Sequence, residues 1–151
     1  MTSGMTPDVG TELINPKAGT KTVFTATAES TDGEYVEIEM TYPPHSTPPP
    51  LHLHPSQDET FTVLAGAMVG VSGEEDFTIS VGDVLEVPRG TPHKMNATGD
   101  GAVVRWRTAP ALRTGEMFCA LWEVARDNDW EPDPMQLFEV ISRFGDEFCL
   151  C

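Results

Sequence analysis

The sequence is short of basic residues and of long apolar runs, and each shortage argues against a class of partner. Only 9 Lys and Arg residues stand against 24 Asp and Glu residues, so the formal net charge at pH 7 is -15. A polyanion of this kind is repelled by phosphate backbones and acidic lipid surfaces. No segment approaches the roughly 20 apolar residues of a membrane-spanning helix. We therefore expect neither a nucleic-acid partner nor a membrane partner.

Cysteine is also scarce, and a leader pattern is missing from the amino-terminal residues. The three cysteines are Cys119, Cys149 and Cys151, and an odd number near one end of the chain argues against a disulfide framework. The C-x-C pair Cys149 and Cys151 is open to two interpretations, incidental thiols or a soft-metal or redox role. The first residues have neither the basic start nor the apolar run of a signal peptide, so we expect a cytoplasmic protein.

What the chain does contain is a series of short strand patterns. Its 151 residues suit one domain, with a barrel over about residues 10–110 and a helical extension over about 111–151. Segment 34–42 alternates strictly, with Val36, Ile38 and Met40 on one face, which is typical of a half-buried strand. Many short strands separated by Gly, Pro, Asn and Asp predict an antiparallel sandwich or barrel. The predicted strands are 21–29, 34–42, 51–54, 60–64, 67–72, 76–80, 84–87 and 102–108.

Two short helices are predicted after Pro110. Segment 114–126 has apolar residues at helical spacing. The second helix is predicted from its caps: Asp133 as N-cap, Pro134 in the first turn, Gln136 as the capping-box partner and Gly145 as C-cap. Helices this short are marginal alone, so their apolar faces should dock on the barrel or on a second subunit. We expect a homodimer.

Ligand-type residues are concentrated in one segment. On a strand, His52 and His54 point to the same side, about 6.6 Å apart along the backbone, so both imidazoles can reach one ion. Glu59 should share a face with Phe61 and Val63, and a carboxylate there is costly to bury unless it is paired or coordinated.

A second segment contains another histidine after two tight turns. The turns are Gly82-Asp83 and Pro88 to Gly90, and the second one directs His93 back between the sheets. Together the segments resemble the two motifs of the cupin superfamily, G-x5-H-x-H-x4-E-x6-G and G-x5-P-x-G-x2-H-x3-N. The matching positions are His52, His54, Glu59 and Gly66 in the first motif and Gly82, Pro88, Gly90 and His93 in the second.

The resemblance implies a fold, a ligand set and a cofactor. It implies an antiparallel double-stranded β-helix, the jelly-roll barrel, whose metal ligands are His52, His54, Glu59 and His93. Two positions depart from the motifs: Ser46 stands where the first glycine belongs, and Asn96 comes one residue early. Three imidazoles and a carboxylate suit one divalent ion of Fe, Mn, Ni, Co, Cu or Zn.

Three functions follow from such a site. The first hypothesis is a metal-dependent oxygenase for a small aromatic or enolic molecule, with Glu59 as a ligand that also acts as a base. The alternatives are a metal-dependent cyclase or isomerase, which resembles the single-barrel cupins that fold polyketides, and a non-catalytic small-molecule-binding protein. Arg105 and Arg107 could face a substrate anion or form a solvated face of the barrel.

Overall fold

Residues 5–151 are described by a computed structural model, in which nine strands and two helices form. All strand pairs in this part of the chain are antiparallel. The predicted all-β double-stranded β-helix with two short helices near the carboxyl end is confirmed. The elements are β1 (Glu12–Asn15), β2 (Thr20–Ala26), β3 (Val36–Tyr42), β4 (His52–Leu53), β5 (Asp58–Ser72), β6 (Glu75–Ser80), β7 (Val84–Val87), β8 (His93–Ala109), α1 (Thr114–Arg126), α2 (Pro134–Ser142) and β9 (Cys149–Leu150).

The long strand β8 lies at the centre of the sheet. It pairs with β5 along one edge and with β3 and β4 along the other. β5 pairs with β7 through its first half and with β6 through its second half. Each half of these long strands thus has its own neighbouring strands. A bend in the middle of β5 and of β8 turns the two halves toward each other and closes the sheet into a barrel.

Two glycines make that bend possible. The register between β5 and β8 shifts on either side of Gly66, as at a β-bulge, which bends a strand. Gly66 and Gly101 both have positive φ, and a Cβ on Gly66 would overlap the carbonyl oxygen of Gly101. Only glycine fits this close approach.

Two strand boundaries predicted from the sequence are wrong at this bend. Segments 60–64 and 67–72 belong to one strand, β5, because Gly66 bends the chain without ending the strand. β8 runs from His93 to Ala109, whereas the strand predicted from the sequence began only at residue 102. Glycine marks both turns and bends, so the sequence pattern does not distinguish them.

Alternation along the strands places the core inside the barrel as predicted. Val36, Ile38 and Met40 of β3 are buried, and Phe61 and Val63 of β5 are almost inaccessible. Glu59 is buried on the same face as these last two residues. The interior of the barrel is therefore apolar, with a carboxylate set into it.

The helices begin as predicted, and one of them ends differently. α1 spans the predicted residues. At the start of α2, the Asp133 carboxylate accepts from the Gln136 N–H at 2.9 Å, and the Gln136 side chain accepts from the Asp133 N–H at 2.8 Å. The end is corrected, because α2 stops at Ser142 with Arg143 as its right-handed C-cap. Gly145 is not among the glycines with positive φ, so it does not form the expected left-handed cap.

The two shortest outer strands, β1 and β9, were not predicted. Only Leu13 of β1 is buried and neither residue of β9 is, so these segments show no alternation to recognise. β9 pairs with β4, the strand that contains His52. None of the helices within residues 5–151 has the length and apolar character needed to cross a membrane.

Candidate metal centre

Three buried histidines come together where β4 meets β8. His52 opens β4 and is paired in register with His93, the first residue of β8. His54 follows two residues after His52, so their rings lie on the same side. One ligand nitrogen from each of the three rings lies within 4.8 Å of the other two. This group could hold a metal ion.

Glu59 of β5 reaches two of these rings. Its Oε1 lies 2.9 Å from Nε2 of His54 and 3.0 Å from Nε2 of His93. Its Oε2 accepts a hydrogen bond from the Thr108 hydroxyl at 3.3 Å. The four ligand residues predicted from the sequence therefore lie together in the structure, and their binding of an ion stays a prediction.

Backbone carbonyls fix the orientation of all three imidazoles. Nδ1 of His52 lies 2.7 Å from the Pro50 carbonyl, and Nδ1 of His93 lies 2.9 Å from the Thr91 carbonyl. Nδ1 of His54 lies 2.7 Å from the carbonyl of Glu147, which is 93 positions away. A carbonyl can only accept, so each Nδ1 carries a proton, and Nε2 of a neutral ring presents a lone pair.

This tautomer makes the donor set fit a cation. The lone pairs on Nε2 of His54 and His93 and on Oε1 of Glu59 repel each other at about 3 Å unless a proton or a cation compensates them. Metal-bound histidines commonly donate their other ring N–H to a carbonyl or carboxylate in this way. The residues present therefore match what a bound divalent ion requires.

The ionisation of these side chains follows from burial and from their contacts. Burial alone would raise the pKa of Glu59, yet the contacts with His54 and His93 lower it to about 2. For His52, burial and the neighbouring imidazoles outweigh its carbonyl contact and lower the pKa to about 4. Burial disfavours the charged form of His54, but Glu59 raises its pKa above the ordinary value. At neutral pH, Glu59 is ionised and His52 is neutral.

A large apolar cavity opens directly above these ligand residues. Its volume is about 760 Å³, which is within the range of small-molecule sites. One wall comes from the barrel, and the others come from α1, α2 and the last residues of the chain. The apolar residues lining it are Pro49, Pro50, Phe61, Met95, Trp106, Met117, Phe118, Leu121, Pro132, Pro134, Met135, Leu137, Phe138, Ile141, Phe148 and Leu150.

Tyr42 adds a polar group to the lining. It is half-buried at the end of β3, and no hydrogen bond to its hydroxyl occurs within residues 5–151. Burial and the charge of Glu59 raise the pKa of Tyr42 well above its ordinary value, so the hydroxyl stays protonated. Tyr42 can therefore donate a hydrogen bond to a molecule in the cavity. It was not predicted from the sequence because a lone Tyr at a strand end is not distinctive.

The two arginines of β8 do not belong to the cavity. Arg105 and Arg107 are exposed, and neither is among the residues that line it. Arg107 donates to Glu37 at 2.8 and 3.0 Å, and its guanidinium lies 4.0 Å from the centre of the Tyr35 ring. Of the two interpretations left open by the sequence, the outward arginine face is the one observed.

The carboxyl-terminal residues contribute to the site, although no pattern in the sequence predicts this. The Glu147 carbonyl orients His54, and the Phe148 ring stacks on His52 with centroids 4.5 Å apart and an interplanar angle of 18°. Cys149 and Cys151 follow these two residues as free thiols. Neither cysteine is among the residues lining the cavity.

Comparison with known proteins agrees with this geometry. The family model of the cupin domain matches residues 38–109, which contain all four predicted ligands. An oxidoreductase of Pestalotiopsis fici, iacF, is 40% identical over 65 residues, or 40% of this chain and 32% of the relative. The chain thus spans about a third of the length of that curated relative.

Solved structures resemble the fold at low sequence identity. The KdgF protein of Halomonas sp. is 18% identical, with a TM-score of 0.56 over 64% of this chain and 85% of that one. A predicted oxalate decarboxylase of Thermotoga maritima is 23% identical, with a TM-score of 0.55 over 62% and 81% of the two chains.

The double-stranded β-helix, the family match and the convergent histidines define a class of protein. The chain resembles the cupin superfamily in its fold and in the segment that the family model matches. Its residues 38–109 are a cupin domain with three histidines that could hold a metal ion.

Proposed function

We propose that the protein is a metal-dependent oxygenase that acts on a small aromatic or enolic molecule. The observation that carries the proposal is the apolar cavity of about 760 Å³ above His52, His54, Glu59 and His93. A planar aromatic molecule would bury its rings against the helices and present one oxygen-bearing edge to the ligand residues. The oxidoreductase relative supports a redox reaction.

The donor set suits a first-row transition ion, held by the three Nε2 atoms and the Glu59 carboxylate. When bound, such an ion supplies a Lewis acid and, if it is redox-active, an electron carrier for dioxygen chemistry. The carbonyls of Pro50, Glu147 and Thr91 hold the histidine rings in the ligand-presenting tautomer. Thr108 holds Oε2 of Glu59.

Other residues of the chain handle the substrate. The apolar walls exclude water, which strengthens polar interactions at the floor of the cavity. The Tyr42 hydroxyl donates a hydrogen bond to a substrate oxygen. Glu59 accepts the proton of an enol or phenol at Oε1, because Oε2 is already engaged by Thr108.

The lining argues against small, multiply charged substrates. Lys94 is the only Lys or Arg residue among those that line the cavity, whereas recognition of carboxylates and phosphates usually relies on arginine. The solved structure from Thermotoga maritima is described as a predicted oxalate decarboxylase. Oxalate would leave most of this larger apolar cavity unfilled, so we do not extend that substrate to the present chain.

The test combines metal analysis with oxygen uptake. Protein purified without chelator should carry about one transition ion per chain, and the double variant His52→Ala, His54→Ala should carry none. The loaded protein should consume dioxygen with a flavonol, a catechol or a cyclic 1,3-diketone, and not with oxalate.

Two outcomes would replace the proposal with one of the alternatives. Isomerisation or ring closure without oxygen uptake, on a redox-silent ion such as zinc, would indicate a cyclase or isomerase. Tight binding of the same compounds without turnover would indicate a small-molecule-binding protein. Full metal content in the double variant would place the ion elsewhere.

A further inference from the structure

The last five residues, 147–151, form a segment that packs directly against the candidate metal centre, and we call it the tail. β9 within the tail pairs with β4, matching His52 with Leu150 and Leu53 with Cys149. The Cys151 N–H donates to the Leu51 carbonyl at 3.1 Å. The tail therefore extends the sheet beside the strand that presents two histidines. It lies outside residues 38–109, which match the cupin domain.

The tail contacts two predicted ligands at different atoms. The Glu147 carbonyl accepts from Nδ1 of His54 at 2.7 Å. The Phe148 ring stacks on the face of the His52 imidazole, with ring centroids 4.5 Å apart. The centroid of the His93 ring lies at the same distance from that of His52. The hydrogen bond fixes the tautomer of His54, and the stacking limits rotation of the His52 ring.

The tail is itself anchored to the start of α1. The Glu147 side chain is buried, and its Oε2 accepts from the Arg113 N–H at 3.3 Å. The Arg113 guanidinium donates to the Arg143 carbonyl at 2.8 Å and lies 4.8 Å from the centre of the Phe144 ring. These contacts hold Glu147 in place, and its carbonyl accepts the hydrogen bond from His54.

We infer that Glu147 and Phe148 are positioning residues of the metal centre, so that the tail completes a site whose ligands all lie in the barrel. The inference rests on the proposed metal binding. Groups that orient metal ligands typically change metal affinity 10–100-fold when they are removed. The affinity of the site for an ion would then depend on residues outside the cupin domain.

The experiment uses full-length variants and Co²⁺ as the probe. Phe148→Ala removes the ring on His52, and Phe148→Tyr retains it. Glu147→Ala removes the anchor of the tail. Phe77→Ala is the matched control, because Phe77 is half-buried like Phe148 but packs against the barrel core and is not among the residues that line the cavity. The measurements are the Co²⁺ Kd, the visible spectrum of bound Co²⁺ and the melting temperature.

A second measurement needs no metal. In the metal-free protein, ¹⁵N chemical shifts of the histidine rings report which nitrogen is protonated. Wild-type His54 should be protonated at Nδ1. In Glu147→Ala, loosening of the tail should shift part of the population to the other tautomer.

We expect Phe148→Ala and Glu147→Ala to raise the Co²⁺ Kd about tenfold and to alter the spectrum. Phe148→Tyr should restore both, and Phe77→Ala should lower the melting temperature while keeping the Kd within about twofold. An unchanged Kd and unchanged tautomers in both tail variants would overturn the inference, as would an equal loss of affinity in Phe77→Ala. A wild-type protein that binds no Co²⁺ would refute the metal proposal, and the tautomer of His54 would still decide whether the tail orients the ring.

Discussion

Replacing Glu59 with glutamine separates the two roles proposed for this carboxylate, ligand and base. Glutamine keeps the shape and one oxygen donor but loses the negative charge and the ability to accept a proton. In the metal-free protein, the amide NH₂ can donate to an Nε2 lone pair that faces Glu59 at about 3 Å. We therefore expect Glu59→Gln to fold normally and to differ only in its chemistry.

The size of the effect follows from the position of the carboxylate. Glu59 is 4% exposed, so solvent does little to screen its charge. Loss of an outer partner of a metal ligand already costs 10–100-fold in affinity. Loss of the only charged ligand should therefore cost at least about 100-fold, or about 3 kcal/mol. Three imidazoles should still bind the ion measurably.

The assay compares metal content with turnover in the same preparations. If Glu59 is also the base, the rate per bound ion should fall by a further 100-fold to 10,000-fold, roughly the contribution of general-base catalysis. Thr108→Val is the matched control, because it removes only the hydroxyl that donates to Oε2 at 3.3 Å. Because this hydrogen bond is long, we expect the control to lower metal affinity by about tenfold, the small end of the range for an outer partner of a metal ligand, and to leave the rate per bound ion unchanged.

One result would refute the reasoning about the base. If the rate of Glu59→Gln simply follows its metal content, Glu59 is a ligand only. The base would not then be Asp58, because that carboxylate is exposed and paired with Arg89 at 3.2 and 3.3 Å. It would have to be sought on the substrate or in solvent that enters the cavity.

Three further predictions concern other parts of the chain. Tyr42→Phe should lower kcat or ligand affinity about tenfold while the Co²⁺ Kd stays constant, because only a substrate-facing hydroxyl is lost; a changed Co²⁺ Kd would contradict this role. Burial raises the pKa of the Cys119 thiol to about 11, so a thiol reagent at pH 8 should modify Cys149 and Cys151 rapidly and Cys119 only after unfolding. Rapid modification of all three thiols in the native protein would refute this. Light scattering should give twice the 16.5 kDa chain mass, and a monomer mass at micromolar concentration would exclude the homodimer.

The grouping of the candidate ligand residues could be predicted from the sequence because their geometry is local. Two histidines at i and i+2 on a strand must share a side, and turns at Gly82 and Gly90 bring His93 back to the sheet. The carbonyls that orient His52 and His93 come from Pro50 and Thr91, each two residues earlier in the chain. Spacing alone therefore determines most of this arrangement.

The rest of the site depends on contacts between distant parts of the chain. The partner of His54 lies 93 positions away, and no local pattern marks a backbone carbonyl as a future acceptor. The apolar faces of the helices were predicted to dock on the barrel or on a second subunit, but amphipathic spacing does not show that docking leaves a cavity beneath them. The volume of that cavity depends on how α1 and α2 cross the barrel opening.

The site is thus built from two parts of the chain with different chemistry. The barrel supplies the candidate ligands His52, His54, Glu59 and His93, and the residues after 110 supply most of the apolar wall and the contacts of the tail. Substitutions in α1 or α2 can therefore change which molecule fits without changing the donor set. The tail differs from the helices because it touches both the cavity and the ligands. A change at Phe148 is expected to alter substrate fit and ion affinity together, whereas a change at Leu121 on α1 should alter substrate fit alone.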